Sequence, residues 1–294
     1  MTARSPNTFI VGAGTVATTL AGALRQAGVP VLGLWARRPD AARAAAAIAG
    51  VAAFSPAPPD LLLEAEVVIL AVNDDAIAEV AARLCATGLV GGRHVLLHCA
   101  GTTSAADAFA GVRDRVGGIG TFHPLRAIAS AAELVRARGA LKGTVIGIEG
   151  DARGVAAATR LAQAVGGTPL PLDGAAMARY HAAASIAANF TVAVMDAAVE
   201  VLASAGVARD AALAALVPLA QGALANAGAR GLHDGLTGPI RRGDAGTVER
   251  HLVALAADPE LARLYRVLGR RTLALAQPGL DAAAAAALAA LLAD

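Results

Sequence analysis

The run Gly12-Ala13-Gly14-Thr15-Val16-Ala17 has the G-x-G-x-x-A spacing that cradles a pyrophosphate. Gly12 permits a tight turn, Gly14 lets the backbone approach the phosphates, and Ala17 lets a helix pack closely on a strand. A helix opening at Thr15 and Val16 turns free N–H groups and a positive dipole end toward those phosphates. About twenty residues on, an acid would accept from a ribose 2′-hydroxyl. The sequence there is Trp35-Ala36-Arg37-Arg38-Pro39-Asp40. Arg37 and Arg38 suit a 2′-phosphate, so NADP(H) is expected rather than NAD(H), and Asp40 reads as the cap of the next helix.

A second group lies at His181, Ser185 and Asn189, spaced i, i+4 and i+8 among Ala, Ile, Phe and Val. On one helix they make a polar stripe about 12 Å long. Such a stripe on an apolar helix costs free energy unless partners or a ligand satisfy it. The chemistry expected is carbonyl reduction: His181 gives the proton, and Ser185 and Asn189 hold the substrate oxygens. His123, in a presumed crevice loop over 120–126, is a rival acid, and Arg126 beside it can bind a carboxylate. Arg242, in Thr237-Gly238-Pro239-Ile240-Arg241-Arg242-Gly243-Asp244, is a second carboxylate clamp, with Asp244 capping the helix that follows. Val72 and Asn73 end one strand and Gly101 follows another, at the level where a dinucleotide lies. His94, His233 and His251 are dispersed, without ligand spacing, so no metal site is expected.

These residues need elements to place them. Short apolar runs at 8–11, 31–35, 51–54, 67–72, 95–98 and 116–119 alternate with helical patterns at 15–27, 40–49 and 75–86. That alternation predicts βαβ units, right-handed crossovers and a parallel sheet. A further unit is expected from a strand at 144–149, a helix at 154–165 and a strand at 168–172. Beyond 173 the patterns are helical, at 175–205, 210–225, 247–256, 259–276 and 281–292. The expected organisation is an α/β Rossmann-type domain over 1–172, followed by an all-α domain over 173–294 that binds substrate and dimerises.

The composition agrees with that class. The chain has 294 residues, 56% of them hydrophobic but only 3% aromatic, so its core is built from Ala, Val, Leu and Ile. Gly and Pro, 32 and 13, fall well short of low-complexity composition. The apolar runs over 5–24 and 211–229 contain Pro, Gly and Asn or Thr and do not read as spanning helices. With a net charge of +2 and no basic stripe interleaved with aromatics, nucleic acid is not an expected partner. The expectation is a cytoplasmic homodimer acting on a small molecule, away from membranes.

The segments 9–20, 122–127, 180–189 and 236–252 resemble the bacterial family that joins a Rossmann-like half to a DUF2520 domain. That family is similar in architecture to ketopantoate reductases, β-hydroxyacid dehydrogenases and pyrroline-carboxylate reductases, with a C-terminal half like that of 6-phosphogluconate dehydrogenase. Some members resemble an alternative type of ketopantoate reductase. The resemblance implies NADPH-dependent reduction of a 2-keto acid on the route to pantothenate. The common ketopantoate reductases use a helical lysine. The only lysine here is Lys142, and His181 stands roughly where that lysine would. Reduction of an imine, or NADP(H) binding without turnover, are the alternative readings.

Overall fold

The computed structural model describes residues 4–293; positions 1–3 and 294, the outer ends of the two expected domains, lie outside them. The chain divides into two units, the first ending at Ala188 and the second beginning at Asn189. The first therefore runs past the boundary expected at 172.

In the first unit the strands are β1 (Thr8–Val11), β2 (Val31–Trp35), β3 (Ala53–Phe54), β4 (Val67–Leu70), β5 (Val95–His98), β6 (Gly118–Pro124), β7 (Val145–Gly150) and β8 (Thr168–Pro171). The helices are α1 (Thr15–Gln26), α2 (Pro39–Ala49), α3 (Ile77–Ala86), α4 (Ala105–Ala108), α5 (Ala131–Arg136), α6 (Ala152–Ala164) and α7 (Met177–Ala187). One sheet forms in the order β3-β2-β1-β4-β5-β6-β7-β8. Its first six strands have the 3-2-1-4-5-6 order of a dinucleotide-binding sheet, with a switch point between β1 and β4. Alternate residues of each strand feed opposite apolar layers. Ile10, Leu34, Ile69 and Leu97 pack on one side; Phe9, Val11, Val68, Leu70 and Leu96 pack on the other.

Three expectations change. The sheet is not wholly parallel, because β6 and β7 run antiparallel. That pairing continues the β6 ladder through Phe122↔Ile148, His123↔Gly147 and Pro124↔Ile146. His123 is thus a strand residue, not part of a loop. Asp40 does not cap α2: Pro39 opens that helix, Arg38 holds the cap position, and Asp40 in the first turn pairs with Arg43.

The second unit holds α8 (Asn189–Ser204), α9 (Arg209–Asp234), α10 (Ala245–Ala254), α11 (Pro259–Ala276) and α12 (Ala282–Leu291). The helix expected over 175–205 is broken at Ala188 into α7 and α8. Asn189, a residue type that favours helix starts over helix interiors, opens the second piece. The helix expected over 210–225 reaches Asp234, with Pro218 inside and non-helical backbone at Gly231. Ile240, Val248, Ala276, Leu288 and Leu292 form this unit's small core. The stretches 174–204 and 209–234 are long and apolar enough to cross a bilayer, and only 6% of the most apolar window in each is buried.

Candidate functional site

The loops at the carboxyl ends of β1, β2 and β4 surround a cavity of about 720 Å³ at the switch point. Val11, Gly12, Ala13, Gly14, Trp35, Ala36, Arg37, Arg38, Ala71, Val72 and Asn73 line it. Most of the expected cofactor set is brought together there. Gly12 has φ +129°, and a Cβ on it would lie 2.2 Å from the Ala71 carbonyl oxygen. Only glycine fits that crossing of strands. At Gly14 a Cβ would meet nothing within 4 Å. Gly14 also stands at the N-cap of α1 with no side-chain cap. The first turn of α1, with Thr15 and Val16, therefore presents uncapped N–H groups to open space, the cradle a pyrophosphate needs.

Arg37 and Arg38 are exposed on the loop after β2 and line the same cavity. A third arginine joins them that the sequence did not single out. Arg83 of α3 lines the same cavity, and its guanidinium carbon lies 5.6 Å from the centre of the Trp35 ring. Nothing local in the sequence marks Arg83, because the sheet order alone brings α3 beside the end of β2.

A second cluster sits at the carboxyl ends of β5 and β6. The His123 Nδ1 is 2.9 Å from the Tyr180 hydroxyl, and the His123 and His181 ring centres are 5.7 Å apart. Gly147 makes room for this: a Cβ there would lie 2.7 Å from the Tyr180 oxygen. Gly101 packs under both imidazoles, not in the dinucleotide cavity. A Cβ on it would be 2.4 Å from His181 Nδ1 and 2.9 Å from His123 Nε2. The His181 Nδ1 is itself buried with no hydrogen-bond partner. Burial, then the nearby His181, pull the His123 pKa down from 6.5 to about 4, so His123 is neutral near pH 7.

The other expected residues are dispersed. Ser185 lies one turn beyond His181 on α7, but Asn189 opens α8 in the second unit, so the three-residue stripe does not exist on one helix. Arg126 is exposed beyond β6, 3.4 Å from the Thr144 hydroxyl. Arg242 is exposed in a short 3-10 turn of the second unit. Asp244 does cap α10, and its hydrogen bonds from the Thr247 hydroxyl and N–H hold its carboxyl below the usual range. Lys142 is exposed in the turn before β7. Among the described residues no group of three or more His, Cys, Asp or Glu could hold a metal ion.

Residues 8–95 match the family described as NADP oxidoreductase, coenzyme F420-dependent. Residues 144–272 match the DUF2520 domain. No curated protein matches the chain. Among solved structures it resembles protein TM1727 from Thermotoga maritima at 26% identity and TM-score 0.71, over 92% of this chain and 98% of that one. A reductive aminase from Aspergillus terreus, solved with NADPH and ethyl-5-oxohexanoate, matches at 19% identity and TM-score 0.62, over 96% and 98% of the two chains. A pyrroline-5-carboxylate reductase from Coxiella burnetii matches at 17% and 0.62, over 98% and 99%. With its dinucleotide cradle and these two domain matches, the chain is an NADP-dependent oxidoreductase in which a Rossmann-like domain precedes a DUF2520 domain.

Proposed function

We propose that the protein reduces the carbonyl of a small 2-keto acid, with ketopantoate the first substrate to test. The observation that carries this reading is the buried, unpartnered His181 Nδ1 beside Gly101. An orphaned buried nitrogen costs free energy that a substrate oxygen would recover by hydrogen bonding to it. NADPH, when bound, supplies the hydride. His181 holds the proton that the reduced oxygen takes up. His123, neutral and tied to Tyr180, packs beside His181 and is not the acid. Gly12, Ala13 and Gly14, with Thr15 and Val16, hold the pyrophosphate, Val72 and Asn73 border the rest of the cofactor, Arg37 and Arg38 hold its 2′-phosphate, and Gly101, outside that cavity, lies under the imidazoles instead. Ser185 orients the substrate oxygen. Asn189, Arg126 and Arg242 join the proposal on their chemistry, as orienting and carboxylate-binding groups.

A second reading, reduction of an imine, is supported by the imine-reducing enzymes among the proteins of similar fold. Carbonyl reduction comes first because an iminium carbon needs only hydride, whereas an alkoxide needs the proton an imidazole carries. The chain is also proposed to act in the cytoplasm as a homodimer. The homodimer is supported by the apolar surface of the second unit, where Val192, Leu219, Leu232 and Val253 are each about two-thirds exposed or more.

The test is NADPH consumption by purified protein with ketopantoate, run beside NADH and panels of keto acids and imines. Turnover with a keto acid upholds the proposal. Turnover only with imines replaces it by the second reading. Tight NADPH binding without turnover on any panel overturns both.

A further inference from the structure

His98, Thr121 and Glu149 lie side by side across β5, β6 and β7, and the reduction as proposed uses none of them. The sheet register pairs His98 with Thr121 and Thr121 with Glu149. All three are buried, Glu149 at only 8% exposure. The Ala100 N–H donates to His98 Nδ1 at 3.2 Å, which leaves the proton of the neutral ring on Nε2. That nitrogen is 3.1 Å from the Thr121 hydroxyl oxygen. The hydroxyl donates in turn to Glu149 Oε2 at 3.2 Å, and the Ala105 N–H donates to the same oxygen at 2.7 Å. Every donor thus finds an acceptor, and the chain runs in one direction from imidazole to carboxylate.

A buried carboxylate is a costly way to join strands that a backbone ladder already joins. Its contacts show what it holds. Ala100 and Ala105, near the two ends of the segment 99–105, are tied to opposite ends of this one chain. Between them lies Gly101, against His181 Nδ1 and His123 Nε2. Gly174 opens the turn that leads into α7, and a Cβ on it would lie 3.2 Å from Glu149 Oε1 and 3.2 Å from the Ser104 Cβ. One carboxylate therefore touches both the segment beneath the two imidazoles and the start of the segment that delivers Tyr180 and His181.

We propose that Glu149, acting through Thr121 and His98, is a positioning residue that sets the Gly101 backbone against the His123–His181 pair. The inference rests on His181 as the proton donor. It predicts an effect on catalysis without one on the dinucleotide cradle, whose residues the chain does not touch.

The experiment compares Thr121→Val, which removes the hydroxyl at nearly constant volume, with Thr121→Ser, which restores it, and with Glu149→Gln. Amide exchange at Ala100 and Ala105, imidazole ¹⁵N shifts of His123 and His181, NADPH Kd and kcat are read on each. Thr121→Val should speed exchange at both amides, move both imidazole signals and lower kcat by about tenfold to a hundredfold, the scale of a sub-ångström to ångström misplacement. NADPH Kd should stay within about twofold. Thr121→Ser should return each readout toward the parent protein, and Glu149→Gln should act in the same direction as Thr121→Val. Faster exchange with unmoved imidazole signals would reduce the chain to a strand-joining role and overturn the proposal, as would unchanged exchange. If the parent protein turns over no keto acid, the function reading fails by itself, and the imidazole signals still decide the positioning role. Should Thr121→Val not fold, Glu149→Gln carries the same readouts.

Discussion

Leu20, Leu34 and Ile69 of the sheet unit are fully buried, whereas Leu219 and Leu232 of the helical unit are 69% and 66% exposed. The sheet unit closes its own core. Both faces of its central strands are covered, as a largely parallel sheet requires. The helical unit covers only a small core, and its α8 and α9 leave apolar side chains in solvent. Hydrophobic content therefore says little about what an element does. Similar Ala, Val and Leu build a self-sufficient scaffold in one unit and an exposed apolar surface in the other.

Four expectations sharpen or break that contrast. The largest is chemical and confined to the sheet unit. His181→Ala should lower kcat by about 10²–10⁴-fold, the scale of general acid catalysis, with NADPH binding retained. Steady-state kinetics on the variant check it, and unchanged turnover removes His181 from the mechanism.

The next is pH dependence. Burial chiefly pulls both His98 and His123 down to about 4 in the folded protein, against 6.5 for a solvated histidine. As pH falls from about 6.5 to about 4 the unfolded chain takes up protons that the folded chain refuses. Stability present at pH 7 is lost across that window and levels off below it, by of order 3 kcal/mol for each of the two groups. Urea melts of the parent protein and of His98→Gln at pH 7 and 4.5 measure it; equal stabilities at the two pH values for the parent would contradict the burial argument.

Third, Arg37→Ala with Arg38→Ala should weaken NADPH binding by about 1–3 kcal/mol for each charged hydrogen bond lost, and leave NADH almost unaffected. Fluorescence titration with both cofactors separates a 2′-phosphate site from two solvated arginines. Equal losses for both would reject the assignment.

The smallest effect on stability belongs to the helical unit. Leu219→Glu with Val253→Glu should shift the protein from dimer to monomer in light scattering. The monomer's own stability should change by only about 0.5 kcal/mol per site, because neither side chain is packed. A monomeric parent protein would break the contrast at its root.

Much of the architecture was legible from local pattern. β1, β2 and β5 fall on the residues their apolar runs indicated, since a strand buried on both faces must be apolar throughout. The glycine cradle was legible too, because its G-x-G-x-x-A spacing is local, although the reason only glycine fits at position 12 is the Ala71 carbonyl on another strand. The antiparallel β6–β7 pair was not, and with it went the placement of His123. Strand direction depends on how the 125–144 connection crosses the sheet, which no local period records. The break at Ala188 has no Gly or Pro to announce it.

By itself, then, the order of residues determined an α/β half of alternating strands and helices with a glycine turn after its first strand and two arginines after its second, because periodicity and motif spacing are local. Only the tertiary structure decided that Arg83 joins that edge, that Gly101 lies beneath His123 and His181, and that His98, Thr121 and Glu149 form one buried chain. Each of those depends on strand order and register, which bring together residues 22 to 80 positions apart.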